Sequence, residues 1–438
     1  ALWCAAASAQ QLSLPPEIGL EWQRKLDGLS FGFEFPLASA ALPGPGGDWI
    51  VSVGRLASPY AIERRSGQDG ALLWRYEAQF PIGTRLVAAP DGAAIYALAY
   101  DPSQPAFRRA SVLALRASDG ALLWSNLLTS WSGTAQVQEP RGLLLSPDAT
   151  RVFALGAETE LQSPPVGFGT LGSFRTSDGF LEWFQRRGPG NQPSFAFEAL
   201  AFDADAAQPG GGRVLVAGGT GLSQGGSVWA EAFSAAGGFP LWQRSAAGGR
   251  VRAAAAAGGR FAIGLERGSG GASLWCLDGA DGQPRWFANA DEEVVDLAFA
   301  GLPGGAERLV SAGLLDGPTL ASKNLLTLRG FEPASGSLVW SEPWNTPWGS
   351  PGSIDVDGLE PLRLLAADPV AGRLWVGAGR GPFEGPEDFQ LAAFDLFDGA
   401  PVWSRAIDVT PAQIGQGLRA VSLSADAQRL LALGDDAG

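Results

Sequence analysis

The chain has 438 residues and a formal net charge of −14, with 31 lysines and arginines against 45 aspartates and glutamates. That length exceeds what one ordinary core organises, which leaves several domains or a single architecture that grows by repetition. The acidic balance argues against a nucleic-acid partner, and the absence of histidine excludes Ser-His and Cys-His nucleophile pairs and His-ligated zinc.

In chain order, the opening ALWCAAASAQ reads as the end of a secretory signal. An apolar stretch runs into Ala7-Ser8-Ala9, with cleavage expected before Gln10. Residues 1–9 are therefore taken as a signal-peptide remnant, and 10–438 as one exported domain, periplasmic or extracellular. Cys4 leaves lipid anchoring open, although Trp3 is bulky where such a site wants a small residue; cleavage would leave Cys276 as a single thiol. No run of 18 apolar residues occurs, so no transmembrane helix is expected.

The segment GLEWQRKL (19–26) resembles a strand that closes a unit, and beyond it the chain becomes repetitive. The phrase QDGALLW ends at Trp74 and SDGALLW at Trp124, with looser copies ending at Trp183, Trp242, Trp286, Trp340 and Trp403. Glycine stands four residues before each, at Gly70, Gly120, Gly179, Gly238, Gly282, Gly336 and Gly399. The tryptophans lie 44 to 63 residues apart, and Trp22 lies 52 before Trp74 without the glycine. Upstream of the phrase each unit carries a strand, an Asp-containing turn and a second strand, as in RLVAAPDGAAIYALA (85–99), GLLLSPDATRVFALG (142–156) and RLLAADPVAGRLWVGAG (363–379). A third strand such as SVLALRA (111–117), the Asp-Gly turn, and ALLWSNLL (121–128) complete it.

Asp-Gly suits a tight hairpin, since both residues tolerate positive φ. Four short antiparallel strands per repeat make a β-propeller blade, and strands apolar on both faces, such as VLAL and ALLW, fit sheets stacked between neighbours. The run Ala253–Ala257 is helical by propensity, but its register is that of a first strand near a crowded axis. At the far end, LRAVSLSADAQRLLALG (418–434) supplies a first and second strand alone. Pairing it with the N-terminal segment gives an all-β, eight-bladed propeller whose ring is closed by strands from both termini.

The D-G-x-x-x-W phrase and its period resemble the PQQ-like (quinoprotein-type) β-propeller family. The resemblance implies that Trp74, Trp124, Trp183, Trp242, Trp286, Trp340 and Trp403, with Trp22, dock between neighbouring blades near the repeated glycine. It also implies two functions. One is a non-catalytic, monomeric scaffold for a protein or peptide partner, its nearest analogue the propeller lipoprotein of the bacterial outer-membrane assembly complex. The alternative is a dehydrogenase using PQQ with calcium.

The residues favour the scaffold with no cofactor, because the Cys-Cys pair of those dehydrogenases is missing and Cys276 stands alone. Carboxylates suited to calcium occur as Asp355, Asp357 and Glu360, and as Asp291, Glu292, Glu293 and Asp296, but neither set completes an EF-hand loop. The glycine-rich stretches 217–231 and 377–388 run from strand to strand, without the helix that would hold a phosphate. The candidate partner anchors are Trp131, Trp344 and Trp348, on segments that follow a docking strand.

Overall fold

A computed structural model describes residues 34–43, 47–55, 61–77, 82–100, 109–128, 136–160, 166–188, 195–204, 212–220, 226–267, 273–289, 293–315, 325–344, 364–379, 389–407, 417–424 and 429–435. The expectations placed on residues 1–9, Cys4 and Trp22 lie outside the described residues.

The strands come in runs of four. The first unit is β1 (Glu34–Ala41), β2 (Trp49–Arg55), β3 (Ala61–Arg65) and β4 (Leu72–Glu77); the second is β5 (Ile82–Ala88), β6 (Ala94–Tyr100), β7 (Ala110–Arg116) and β8 (Leu122–Leu127). The third holds β9 (Gln136–Leu145), β10 (Arg151–Glu160), β11 (Val166–Arg175) and β12 (Leu181–Arg187). The fourth holds β13 (Ala196–Asp203), β14 (Arg213–Thr220), β15 (Ser227–Ser234) and β16 (Pro240–Ala247). In the fifth are β17 (Gly249–Ala257), β18 (Arg260–Arg267), β19 (Leu274–Asp278) and β20 (Pro284–Ala288). The sixth has β21 (Glu293–Gly301), β22 (Glu307–Leu315), β23 (Leu325–Phe331) and β24 (Leu338–Trp344). The seventh has β25 (Leu365–Asp368), β26 (Arg373–Gly379), β27 (Phe389–Asp395) and β28 (Pro401–Ile407), and the last two strands are β29 (Gly417–Leu423) and β30 (Leu430–Asp435).

Each run of four is an antiparallel meander. The fifth and sixth units join into one eight-stranded sheet through a single pairing, Glu266 with Glu293, and β29–β30 form a two-stranded sheet. The architecture is thus all-β and propeller-like with four-stranded antiparallel blades. The eighth sheet has two strands among the described residues, where the sequence led us to expect a shared four-stranded blade.

The first strands come together: each packs beside the first strand of the next unit, and β29 packs beside both β25 and β1. Apolar clusters fill the spaces between successive sheets, as where Ile62 of the first unit meets Ile95 and Leu113 of the second. The small cluster of Trp49, Val51, Val53 and Leu431 joins the first unit to β30. The alanine run lies in β17, paired with β18, so tertiary pairing overrides its helical propensity.

Burial grades across each sheet. Every residue of β14 is buried, whereas in β8 only Trp124 is, with Leu122 48% and Leu123 44% exposed. The leucines of ALLW therefore differ from the sequence expectation of two buried faces. In β8 the strand overhangs its neighbours, and its tryptophan is the one side chain buried between them.

Candidate functional site

Among the described residues the repeated phrase builds six docking stations, each between successive units. Its turn is wider than the tight hairpin expected from Asp-Gly. In the second unit the Arg116 N–H reaches the Ala121 carbonyl at 2.8 Å, and the Gly120 N–H reaches the Arg116 carbonyl at 2.8 Å. The glycine alone takes positive φ, 72° at both Gly120 and Gly179. Aspartate acts through its side chain: Asp69, Asp119, Asp178, Asp281 and Asp398 each accept the backbone N–H two residues on. In the sixth unit the Ser335 hydroxyl takes that role for the Ser337 N–H. At Asp119 the Ala121 N–H, then Arg116, hold the carboxyl below its ordinary range.

The indole of one unit lies against the glycine of the next. A Cβ on Gly120 would stand 2.7 Å from the Trp74 ring, and one on Gly179 2.5 Å from Trp124, so both contact and φ require glycine. The indole N–H donates to the carbonyl three residues before that glycine: Trp74 to Ala117 at 3.0 Å, Trp124 to Thr176 at 2.9 Å, and Trp183 to Ala235 at 3.1 Å. Trp242 donates to Gly279 at 2.8 Å, Trp286 to Pro333 at 3.0 Å, and Trp340 to Leu396 at 3.1 Å. Trp403 meets Trp375 of its own unit edge-on at 6.0 Å and has no docking glycine among the described residues.

Sequence reasoning missed a second strut. The side chain two residues after the tryptophan donates to the docking glycine's carbonyl, from Asn126 to Gly179 (2.6 Å), Gln185 to Gly238 (2.9 Å) and Arg244 to Gly282 (3.1 Å). Its signal was a polar side chain at one register position of the fourth strand.

Also missed were charges carried on bulges of the first strands. Arg141, Glu198 and Arg252 each sit where the pairing with the second strand slips by a residue. Arg141 bridges Glu139 (2.5 Å) and Glu198 (3.3 Å), joining the third and fourth units. Arg252 bridges Glu266 (2.6 Å) and Glu293 (3.0 Å), joining the fifth and sixth. Deeper still, Arg213 pairs with Asp203 at 3.0 Å with both side chains buried, and Asp203 also accepts the Gly259 N–H. A charged residue in the first half of an otherwise largely apolar first strand, as at Glu198 and Arg252, was the available clue.

Of the carboxylates put forward for calcium, Glu293 is held by Arg252, and Asp296 accepts the N–H groups of Leu364 (2.8 Å) and Leu365 (3.0 Å) in the seventh unit. Asp291, Glu292, Asp355, Asp357 and Glu360 lie outside the described residues. Among the described residues no three His, Cys, Asp or Glu side chains gather as metal ligands. Cys276 is buried within β19, where burial pushes its thiol up to about 11. Glu293 and Asp296 are thus engaged in contacts between units, and no second cysteine adjoins Cys276 in the sequence. Buried Glu231 is likewise a structural group: burial raises its pKa, against the pull of Arg187.

Of the aromatic anchors, Trp131 and Trp348 lie outside the described residues. Trp344 closes β24, half-buried, its ring edge-on to Phe394 of the seventh unit at 5.9 Å. It is packed between two units, whereas the sequence placed it on a loop.

Fold and stations together define a propeller-like protein of four-stranded antiparallel blades, and its second half is similar to PQQ-like repeats. Residues 224–427 match the family model described as "Outer membrane protein assembly factor BamB". Among solved structures, BamB from Moraxella catarrhalis is 14% identical over 92% of this chain and 100% of its own, with a TM-score of 0.49. The C-terminal WD40 domain of Sif2 is 11% identical over 92% and 96%, with a TM-score of 0.53. The quinohemoprotein alcohol dehydrogenase ADHIIG from Pseudomonas putida HK5 is 11% identical over 94% and 71%, with a TM-score of 0.50. At such identities the last two speak to fold alone. No curated protein sequence matches the chain.

Proposed function

We propose that this chain is an exported, non-catalytic, eight-bladed propeller that scaffolds a protein partner, without a cofactor, in the manner of an outer-membrane assembly factor. The observation that carries this reading is the match of residues 224–427 to the assembly-factor family model. Support for the eightfold ring comes from β29–β30, which pack on the seventh unit on one side and the first on the other. Gly70 adds to it, holding φ at 69° as the docked glycines do. In this reading the segment around GLEWQRKL completes the eighth blade, and Trp22 docks at Gly70.

The partner surface lies where fourth strands lead to the next first strand, the edge from which the segments bearing Trp131 and Trp348 depart and at which Trp344 sits. Cross-linking in the cell envelope with mass spectrometry as the readout tests the reading. Linkages from residues 129–135 and 345–363 to an outer-membrane assembly component are expected, weakened by Trp131→Ala and Trp348→Ala. Titration with PQQ and Ca²⁺ provides the opposing arm. A saturable rise in thermal stability would mean that the folded state binds the quinone, and would overturn the scaffold in favour of a quinoprotein.

A further inference from the structure

Asp296 stands directly after the bulge in β21. The residue in that place is Ala38 in β1, Arg85 in β5, Gly142 in β9, Ala199 in β13, Ala253 in β17 and Ala420 in β29. Among the described residues no other first strand puts a carboxylate there, so the repeat does not itself require one. The Asp296 carboxylate accepts three backbone N–H groups. Oδ1 takes that of Leu297 at 2.8 Å, and Oδ2 takes those of Leu364 at 2.8 Å and Leu365 at 3.0 Å in the seventh unit. Bonds to an ionised acceptor are stronger than neutral ones, and two on one oxygen fix the direction from which the chain arrives.

These N–H groups lie where the ladder is short. Among the described residues β25 pairs with β26 from Leu365 to Asp368, over fewer residues than any other first strand pairs with its second. Leu364 and Leu365 are buried, and a buried N–H without an acceptor is costly. A carboxylate of the sixth unit therefore does for the start of β25 what a longer ladder does elsewhere. The preceding strand ends at the same junction. Trp344 closes β24 edge-on to Phe394, against the apolar cluster that contains Leu364, Leu365 and Phe394. Between these two anchorages runs the longest connection from any fourth strand to the next first strand, 345–363, which bears Trp348.

We propose that Asp296 is a positioning residue of the partner surface: its carboxylate fixes where residues 345–363 rejoin the ring, and with Trp344 it sets the span from which Trp348 meets the partner. The inference rests on the scaffold reading. Fixing both ends before the partner arrives lowers the ordering cost of binding. Loss of the carboxylate should therefore weaken capture through this segment and spare residues 129–135, which follow the second unit.

Hydrogen exchange on the full chain, and cross-linking in the cell envelope from a photo-reactive side chain at Ser353 or at Thr134, test it. In Asp296→Ala the amides of Leu364 and Leu365 should exchange faster while those of β26 and β27 keep their rates. Cross-links from position 353 should fall roughly two- to tenfold, with those from position 134 unchanged. Asp296→Asn, which keeps one acceptor oxygen, should lie between. Leu326→Ala removes a buried side chain from the same junction without touching the carboxylate, and it should leave the ratio of the two sets of links at the wild-type value. An equal shift of that ratio in Leu326→Ala overturns the proposal, because lost stability would then suffice. Unchanged exchange at Leu364 and Leu365 in Asp296→Ala overturns it too, as do freed amides with undiminished links from position 353. In each of those cases the scaffold reading stands if Trp348→Ala still weakens the links. A wild type that yields no links from either position overturns the scaffold reading, and this inference with it.

Discussion

Between the second and third units, Trp124 enters a space walled by Leu98, Val112, Val152, Ala154 and Phe174, its ring stacked 6.5 Å from that of Phe174. Its indole N–H and the Asn126 amide both bond across to the third unit's turn. Between the last two strands and the first unit, Trp49, Val51, Val53 and Leu431 cluster, and a 2.6 Å hydroxyl pair joins Ser39 of β1 to Ser422 of β29. The first junction is keyed by an indole and an amide that hydrogen-bond across it, whereas among the described residues the second is joined by apolar contacts around Trp49 and by the Ser39–Ser422 pair. Rigidity between the second and third units should derive from that keyed junction, and the contact of β29 and β30 with the first unit should open before it.

The largest break in that comparison should come from Trp124→Ala, which empties the keyed junction and is expected to cost about 3–5 kcal/mol in denaturant unfolding. Arg213→Met should cost a similar amount, about 3–5 kcal/mol, because it leaves the Asp203 carboxylate buried without its cation. Adding Asp203→Asn should recover part of that loss, and additive costs in the double variant would refute the pairing. Hydrogen exchange should then separate the two regions in the unaltered protein. Amides of β29 and β30 are expected to exchange well before those of β14, and equal protection would remove the distinction. At that junction, Ser422→Ala should cost only about 0.5–1 kcal/mol, since only neutral hydrogen bonds to Ser39 are lost.

The smallest effect concerns pH. Asp119 titrates below its ordinary range in the folded chain, so its ionised form stabilises the turn above the unfolded carboxylate range, and that stability is lost as pH falls through the folded value. Asp119→Asn keeps an acceptor for the Ala121 N–H without titrating. The melting-temperature gap between wild type and variant should therefore narrow on acidification, and a constant gap would deny the carboxylate that role.

Much of this was legible in the sequence because it depends on local chemistry. A glycine held at positive φ, an aspartate capping the next N–H, and an indole at fixed spacing are short-range requirements that any copy of the repeat must meet. The alanine run in β17 was readable as a strand for the same reason, since its register in the repeat outweighed its propensity. The candidate partner site was less legible. Trp344 has the sequence surroundings of a loop anchor, yet its ring faces Phe394 of a different unit, a neighbour 50 residues away in the chain.

The order of residues along the chain was enough to set the repeat, its strand order and the capped, glycine-bearing turn of each unit, because those depend on groups within a few residues of one another. Packing of one unit on the next decided which surfaces the repeat leaves open and which charges it pairs. It exposed the leucines of ALLW, seated each indole on a carbonyl some 37 to 56 residues further along, and used bulges to carry Arg141 and Arg252 to acids on the adjoining units. The physical reason is the lateral offset between neighbouring sheets: it fixes how far each fourth strand overhangs, and no pattern confined to one unit encodes it.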